Sequence, residues 1–595
     1  MKNILITSAS LLALAISTPA FAQSNETTIT QTGDTQSATV TQSGANAEAI
    51  VTQSNARNTA AVTQGDNAGA FATVTQSGTD NEADVTQSAV NGQADVQQTG
   101  NFNQATLSQG RAFGANPQTD SQEALLVQSG VNNMIDANQS GSRVDLNVLQ
   151  SGSDNDATVV QSGAHNASGD SDNPALVGIL QSGDNNEAFV TQRGQMSDAL
   201  INQGGNDNTA TILQSINNQP DPPGFSDPRV ATATINQIGS DNESTINQTG
   251  LPFPGQSTIS ARLMAATSTQ NGDNNESTIS QTNTLLTAAS AENTATVTQN
   301  GDSNESAVSQ NGRLLTATVL QNGDDGESIV TQGGTGSDAF VTQSGTGQIS
   351  SIAQLGNDNL ANTFQTGSDN EAQVSQSGDL ANSQINQSGS DNFASATQSG
   401  AGPNTSQISQ FGTDGETRVT QSGSNNSSLV AQGSSNNVAF VDQIGTGATS
   451  SVFQGDIGGG SSNFADVEQN GLNSSFVGQG TGNGNSAVVR QTNTGGTINT
   501  SSVSQGDFSP GDNNTAATIA QNGAGNTSTV TQIDTLGLGG GNFASLNQDG
   551  DDNLSTITQD GNKNEASVSQ TSDANQSFIN QTGTGNLAIV SQGGL

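Results

Sequence analysis

The chain has 595 residues, of which 30% are hydrophobic and 3% aromatic, with no cysteine, tryptophan or tyrosine and a formal net charge of −42. Such acidity disfavours nucleic acid and anionic membranes as partners, and the lack of cysteine excludes disulfides and thiol chemistry. Composition alone leans towards disorder, because the apolar content is small against the entropy of ordering a chain.

The first 22 residues predict a secretory signal. Lys2 supplies the positive start, Ile4 to Ile16 a short apolar run, and Ala20-Phe21-Ala22 the small-x-small cleavage pattern before Gln23. The run is too short to span a bilayer, and no later run approaches that length, so no membrane span is expected. The mature chain, 23–595, is expected to be exported.

From Gln31 onwards glutamine recurs at a fixed period. It returns at Gln42, Gln53 and Gln64, then at Gln76, Gln87, Gln98 and Gln109, and continues to Gln592. There are 46 such glutamines, and 32 of the 45 intervals between them are 11 residues long. Disordered chains need no register, so the period outweighs the composition and predicts one short unit stacked many times. Clear copies begin at Gln76 (QSGTDNEADVTQ), Gln181 (QSGDNNEAFVTQ), Gln365 (QTGSDNEAQVSQ) and Gln559 (QDGNKNEASVSQ).

Each copy has two physical halves. The second half alternates apolar or small residues with polar ones, which is the period of a strand. The inward apolar positions are Ala83 and Val85, Ala188 and Val190, Ala372 and Val374, and Ala566 and Val568. Each copy is bounded by glutamines on the same face: Gln76 and Gln87, Gln181 and Gln192, Gln365 and Gln376, Gln559 and Gln570. Outward residues in the first copy are Glu82, Asp84 and Thr86. The first half is turn chemistry: Gly78 with Asn81, Gly183 with Asn186, Gly367 with Asn370, and Gly561 with Asn564. Glycine takes positive φ, and Asp80 and Asn81 tolerate the left-handed region.

Eleven residues therefore predict a strand of about six residues and a tight turn. Two units make a 22-residue strand-turn-strand-turn rung. Glu305, Glu327 and Glu371 share an offset at multiples of that spacing. The predicted fold class is all-β, a β-solenoid of roughly 23 rungs, on the order of 110 Å long at about 4.8 Å per rung. One unit cannot fold alone: burying a Val and an Ala gains about 2–3 kcal/mol, whereas fixing each backbone residue costs roughly 1–2 kcal/mol. Stacking must supply the difference through backbone ladders and inward amides bonded along the axis.

The irregular intervals predict loops at 110–127, 162–180, 215–236, 249–269 and 282–298, with the alternative of a degenerate unit around Ile259. Proline removes a ladder donor and is excluded from central strands. All ten prolines of the mature chain (Pro117, Pro174, Pro220, Pro222, Pro223, Pro228, Pro252, Pro254, Pro403 and Pro510) lie in intervals that are not 11 residues long. Gln299 to Gln398 is expected to be the most regular stretch, and 455–548 the least.

With these residues in view, the unit resembles the curlin repeat of curli subunits, S-x5-Q-x-G-x-x-N-x5-Q. The resemblance covers nearly all of 27–592 and is specific through its dozens of copies in register. It implies a secreted protein of a Gram-negative bacterium that assembles into amyloid fibres of the biofilm matrix, with inward Ser/Asn, Gln and aliphatic ladders. It also implies a nucleator subunit and an outer-membrane secretion channel as partners. The chain departs from that pattern in its length, in its lack of tyrosine and in having only eight residues between the predicted cleavage site and Gln31. That last departure puts the export route in doubt.

Catalytic chemistry finds little support. His165 is the only histidine and Lys563 the only lysine of the mature chain. His165 reads as a solvated turn residue. Asp324, Asp325 and Glu327, and the pair Asp551–Asp552, read as solubilising charge on turns, since acid–base work needs a shielded site that separates two pKa values. The same turns are expected to attract counterions rather than hold specific calcium sites. No cofactor, metal site or catalytic residue is assigned. Thr39 and Thr41, with Thr73 and Thr75, suggest an outward threonine array, but Asp84, Asp95, Phe189 and Gln373 interrupt it. Phe189, Phe340, Phe440 and Phe578 fall at outward offsets, either as scattered exposed residues or as a stripe for lateral packing.

Repeats run from near Thr27 to Gln592 with no capping pattern, and an exposed strand edge templates another chain. The expected function is a self-assembling extracellular fibre subunit without catalytic activity. The alternative is a non-polymerising surface adhesin on the same solenoid that binds a host or matrix ligand through its loops or outward aromatics; deleting 215–236 separates the two, since a loop-based adhesin loses binding and a fibre subunit tolerates the loss.

Overall fold

The computed structural model describes residues 24–65, 69–110, 122–140, 144–162, 175–194, 197–216, 231–250, 262–283, 291–455, 460–480, 482–506, 515–535 and 541–593. The predicted signal, His165, Ile259, the greater part of the first four predicted loops and residues 284–290 of the fifth lie outside these residues. Of the mature-chain prolines only Pro403 lies inside them, between the strands Phe393–Ser399 and Thr405–Gln410.

The described residues form 46 β-strands, each carrying one glutamine of the series, and no helix. They divide into two compact units, one ending at Leu315 and the other beginning at Thr316. The first unit holds eleven rungs, from Glu26–Asp34 to Glu305–Arg313. The second holds twelve, from Thr316–Asp324 to Leu587–Gln592.

Each unit is a β-solenoid built the same way. Alternate strands belong to alternate sheets, so a strand pairs with the strand after next. Every pairing is parallel and in register, which settles the strand direction that the sequence left open. In the first unit the odd-numbered strands align Gln31 with Gln53, Gln76 and Gln98 in succession, and the even-numbered strands align Gln42 with Gln64, Gln87 and Gln109. In the second unit Gln343, Gln365 and Gln387 align in one sheet, and Gln354, Gln376 and Gln398 in the other.

Register survives the long intervals. Gln98 pairs with Gln128 and Gln109 with Gln139, across an interval longer than 11 residues. Likewise Gln237 pairs with Gln270 and Gln248 with Gln281.

Strand length departs from the expected six residues. Glu82–Gln87 and Glu371–Gln376 have six, but Phe71–Thr79 and Leu360–Ser368 have nine, and Val144–Ser153 has ten. The longer strands continue past their glutamine through a glycine. Gly78, with φ +113°, stays in the ladder opposite Gly100, and Gly367, with φ +104°, opposite Gly389. An L-residue avoids that conformation, so glycine extends the strand here instead of ending it.

The core is a narrow interior between the two sheets of each unit. Strand Glu82–Gln87 alternates exposed and buried residues throughout: Ala83, Val85 and Gln87 are buried, Glu82, Asp84 and Thr86 exposed. Ala188, Val190, Ala372, Val374, Ala566 and Val568 are buried as well.

Candidate functional site

Beside inward alanine, valine, isoleucine and leucine side chains, such as Leu126, Ile235 and Ile352, the interior carries ladders of amides. Gln76 donates from Nε2 to Gln98 Oε1 at 2.8 Å and accepts from Gln53 Nε2 at 2.8 Å. The same Nε2 lies 2.9 Å from the Thr59 carbonyl and 3.2 Å from that of Asn81. Gln87 repeats the pattern, with Gln109 Oε1 at 2.8 Å and the carbonyls of Phe71 and Gly92 at 3.0 Å. Gln181 donates to Gln203 at 3.0 Å, Gln192 to Gln214 at 3.1 Å, Gln365 to Gln387 and Gln376 to Gln398 at 2.9 Å. Gln559 donates to Gln581 and Gln570 to Gln592, both at 2.8 Å. In each of these pairs the donor sits on the earlier rung and the acceptor on the later one. The ladder therefore has a direction as well as a period.

The asparagines form a second inward ladder, and the left-handed position of the turn falls one residue before each of them. Asn81, Asn186, Asn370 and Asn564 were expected in the turn, with Asn81 tolerant of the left-handed region. The left-handed residue is the one before each: Asp80, Asn185, Asp369 and Lys563, with φ of 54–57°. The asparagines themselves are buried. Asn81 donates from Nδ2 to Asn58 Oδ1 at 3.1 Å on the preceding rung and to the Gly100 carbonyl at 2.8 Å on the following one. Asn186 donates to Asn155 Oδ1 and to the Gly205 carbonyl, both at 2.9 Å. Asn370 reaches the Gly389 carbonyl at 3.1 Å, and Asn564 the Gly583 carbonyl at 2.9 Å. The turn folds back over the rung, so its asparagine satisfies the carbonyls that the turn exposes.

Glycine has a second role that local sequence does not reveal. A Cβ on Gly78 would lie 1.8 Å from the Gly100 carbonyl oxygen, and one on Gly183 1.9 Å from that of Gly205. The corresponding distances are 2.0 Å from Gly367 to Gly389 and 2.1 Å from Gly561 to Gly583. Backbone packs on backbone along this column, so each rung leaves no room for a side chain on the rung before it.

The outer faces carry the charge. Burial first, and then the Glu123 carboxylate, push the Asp145 carboxyl above its ordinary range. Burial and then Glu187 and Asp136 do the same for Asp156, and burial and then Glu468 for Asp442. These groups stand beside like charges on neighbouring rungs, as Asp442 does opposite Glu468. A shallow cavity of about 430 Å³ on the first unit is lined by Phe71, Asp95, Glu123, Leu125, Asp145 and Asn147 among others, with no histidine or lysine. Among the described residues no group of three or more His, Cys, Asp or Glu is placed to hold a metal ion.

The outward phenylalanines form no single stripe. In the second unit Phe340 and Phe578 lie in the odd-numbered sheet and Phe440 in the even-numbered one, where it packs edge-to-face on Phe464 at 5.9 Å. The outward threonine column is interrupted as expected, Thr73 standing opposite Asp95.

The model of the curlin associated repeat matches residues 22–54, 152–194, 173–205, 291–319, 539–571 and 561–594. These segments are spread along the chain and together cover less than half of it. No curated protein matches the chain.

Proposed function

The chain is a curlin-repeat protein, and on that premise we propose that it is a structural subunit of an extracellular, amyloid-like fibre that grows by head-to-tail stacking of its copies. The observation that carries this reading is the directional in-register ladder. Each rung presents inward glutamine donors on one side and acceptors on the other, at the same positions as its neighbours. A rung of a second copy offers the same groups in the same places. Stacking copies thus repeats the contacts already made within one chain, as in cross-β assemblies.

On this reading the chain is secreted by its signal at 1–22 and contributes to the biofilm matrix and to cell adhesion as a cell-surface fibre. A nucleator subunit and an outer-membrane secretion channel are the partners that the repeat family suggests. The acidic outer faces limit lateral clumping and make assembly faster as salt screens the charge. Incubating the purified mature chain, with electron microscopy and fibre diffraction, tests the proposal. Unbranched fibres with a meridional reflection at about 4.7–4.8 Å are expected. A chain that stays monomeric without that reflection refutes it.

A further inference from the structure

The inward position four residues before each glutamine is alanine in most repeats; serine replaces it in a run of five in one sheet, from Ser244 to Ser350, and in a longer run in the other sheet of the second unit. There, serine occupies the position on nine consecutive paired strands, from Ser383 to Ser577. The facing sheet holds alanine from Ala372 to Ala566, with Thr417 as the one exception. A hydroxyl is therefore concentrated on one side of the interior and repeated at every rung.

Some of these hydroxyls are satisfied by the protein. Ser577 and Ser555 bond to each other at 2.9 Å, and Ser528 accepts from Gln521 Nε2 at 3.2 Å. Thr417 donates to Gln432 Oε1 at 2.9 Å. The other six (Ser383, Ser406, Ser428, Ser450, Ser475 and Ser501) are at most 5% exposed, and none of their Oγ atoms has a hydrogen-bond partner among the described residues. Buried hydroxyls are rarely left unpaired, and a solvent molecule is the usual partner when protein supplies none.

The geometry suits water. Successive strands lie about 4.8 Å apart along the ladder, and the six hydroxyls do not reach one another as those of Ser555 and Ser577 do, so like-oriented hydroxyls repeat at that spacing. A water about 2.8 Å from each of two such oxygens subtends an angle of roughly 118°, close to tetrahedral. The facing glutamine oxygens supply a third contact. The Thr417–Gln432 bond shows that a group at this offset reaches the facing ladder, and an amide oxygen with one donor on it can accept a second. Three partners are what a buried water ordinarily has.

We propose that this serine column binds a single file of water along the solenoid axis, one molecule in each of the five gaps between Ser383 and Ser501. The file ends at Ser528, whose hydroxyl is taken by the protein. Between Ser383 and Ser501 it runs along one sheet, with alanine or Thr417 at the facing position.

Oxygen-17 magnetic relaxation dispersion on the full mature chain, held in a dilute gel, counts long-lived internal waters. Replacing all six serines by alanine should remove about five of them. Ser428→Ala alone, which borders two gaps, should remove about two, and Ser555→Ala none. Circular dichroism confirms that the strands persist. If Ser428→Ala and Ser555→Ala leave the same dispersion as the unmodified chain, the hydroxyls are dry and the proposal is overturned.

Discussion

Replacing Gly367 by alanine should unlock its rung, and the size of the effect follows from two separable costs. The first is conformational. Gly367 holds φ +104°, a region that costs an L-residue about 1–3 kcal/mol. The second is steric. The new Cβ would lie 2.0 Å from the Gly389 carbonyl oxygen and about an ångström further from its carbon and nitrogen, at 3.0 and 3.1 Å. No side chain can yield there, so the rungs must part at that edge. Parting them loses the Asn370 bond to the Gly389 carbonyl and the adjoining backbone pairing, at about 1 kcal/mol for each bond. The sum is about 3–5 kcal/mol.

Two other glycines isolate the terms. Gly541 has φ +93° with nothing described within 4 Å of its Cβ position, so alanine there meets the conformational cost alone. Gly496 has neither constraint, and alanine there should be neutral or add about 0.4–1 kcal/mol of stability through the unfolded chain. Hydrogen exchange with peptide resolution is the suitable assay, because repeat arrays open locally. At 1.4 kcal/mol per tenfold, amides of 360–392 in Gly367→Ala should exchange between about a hundredfold and several thousandfold faster. If they exchange no faster than the amides around residue 541 in Gly541→Ala, the close approach of rung to rung contributes nothing and the reasoning fails.

Gln365→Leu removes a donor to the Gln387, Ile349 and Asn370 oxygens and the acceptor of Gln343, and should cost about 3 kcal/mol or more in denaturant unfolding. Gln365→Glu should be worse, since it points a carboxylate at oxygens that expect a donor. Stability should rise on acidification. Asp145, Asp156, Asp442 and Asp466 have folded pKa values raised by burial first and by neighbouring carboxylates second, with Arg490 opposing the shift only at Asp466. As pH rises, the unfolded chain releases these protons first, so stability present below the ordinary aspartate range is lost as pH climbs to the raised values. Denaturation midpoints at pH 4 and pH 7 check the sign. Asp442→Asn should stabilise the chain at pH 7 and flatten the profile, and an unchanged profile would show that the stacked carboxylates are not coupled.

Much of the fold was legible because the period and the chemistry agree. Strand alternation around Val85 and Val374, and the glutamine at each strand end, are local patterns that need no tertiary information. What escaped the sequence is whatever depends on the neighbouring rung. Gly78 reads locally as freedom in φ, but only the carbonyl of Gly100 shows that a side chain has no space. Inward asparagine amides were expected from the sequence, but that Asn81 also meets the Gly100 carbonyl of the next rung depends on how the turn closes. Serine and alanine look interchangeable before Gln387 or Gln410. Pairing Ser383 with Ser406 makes them a column.

The two amide ladders also constrain how a second copy can join. Glutamine donates forward along the chain, as Gln53 does to Gln76 and Gln76 to Gln98. Asparagine donates backward to the side-chain oxygen of the preceding rung, as Asn81 does to Asn58 and Asn103 to Asn81. One side of a rung therefore offers glutamine hydrogens beside asparagine oxygens, and the other side offers the reverse. A copy stacked in the same direction pairs both ladders at once. A copy turned end over end sets glutamine donor against donor and asparagine oxygen against oxygen, inside an interior where each unpaired group costs about 1–3 kcal/mol. With two glutamine columns in each unit and an asparagine column beside them, the penalty is several such terms against none, which is enough to fix the direction of stacking.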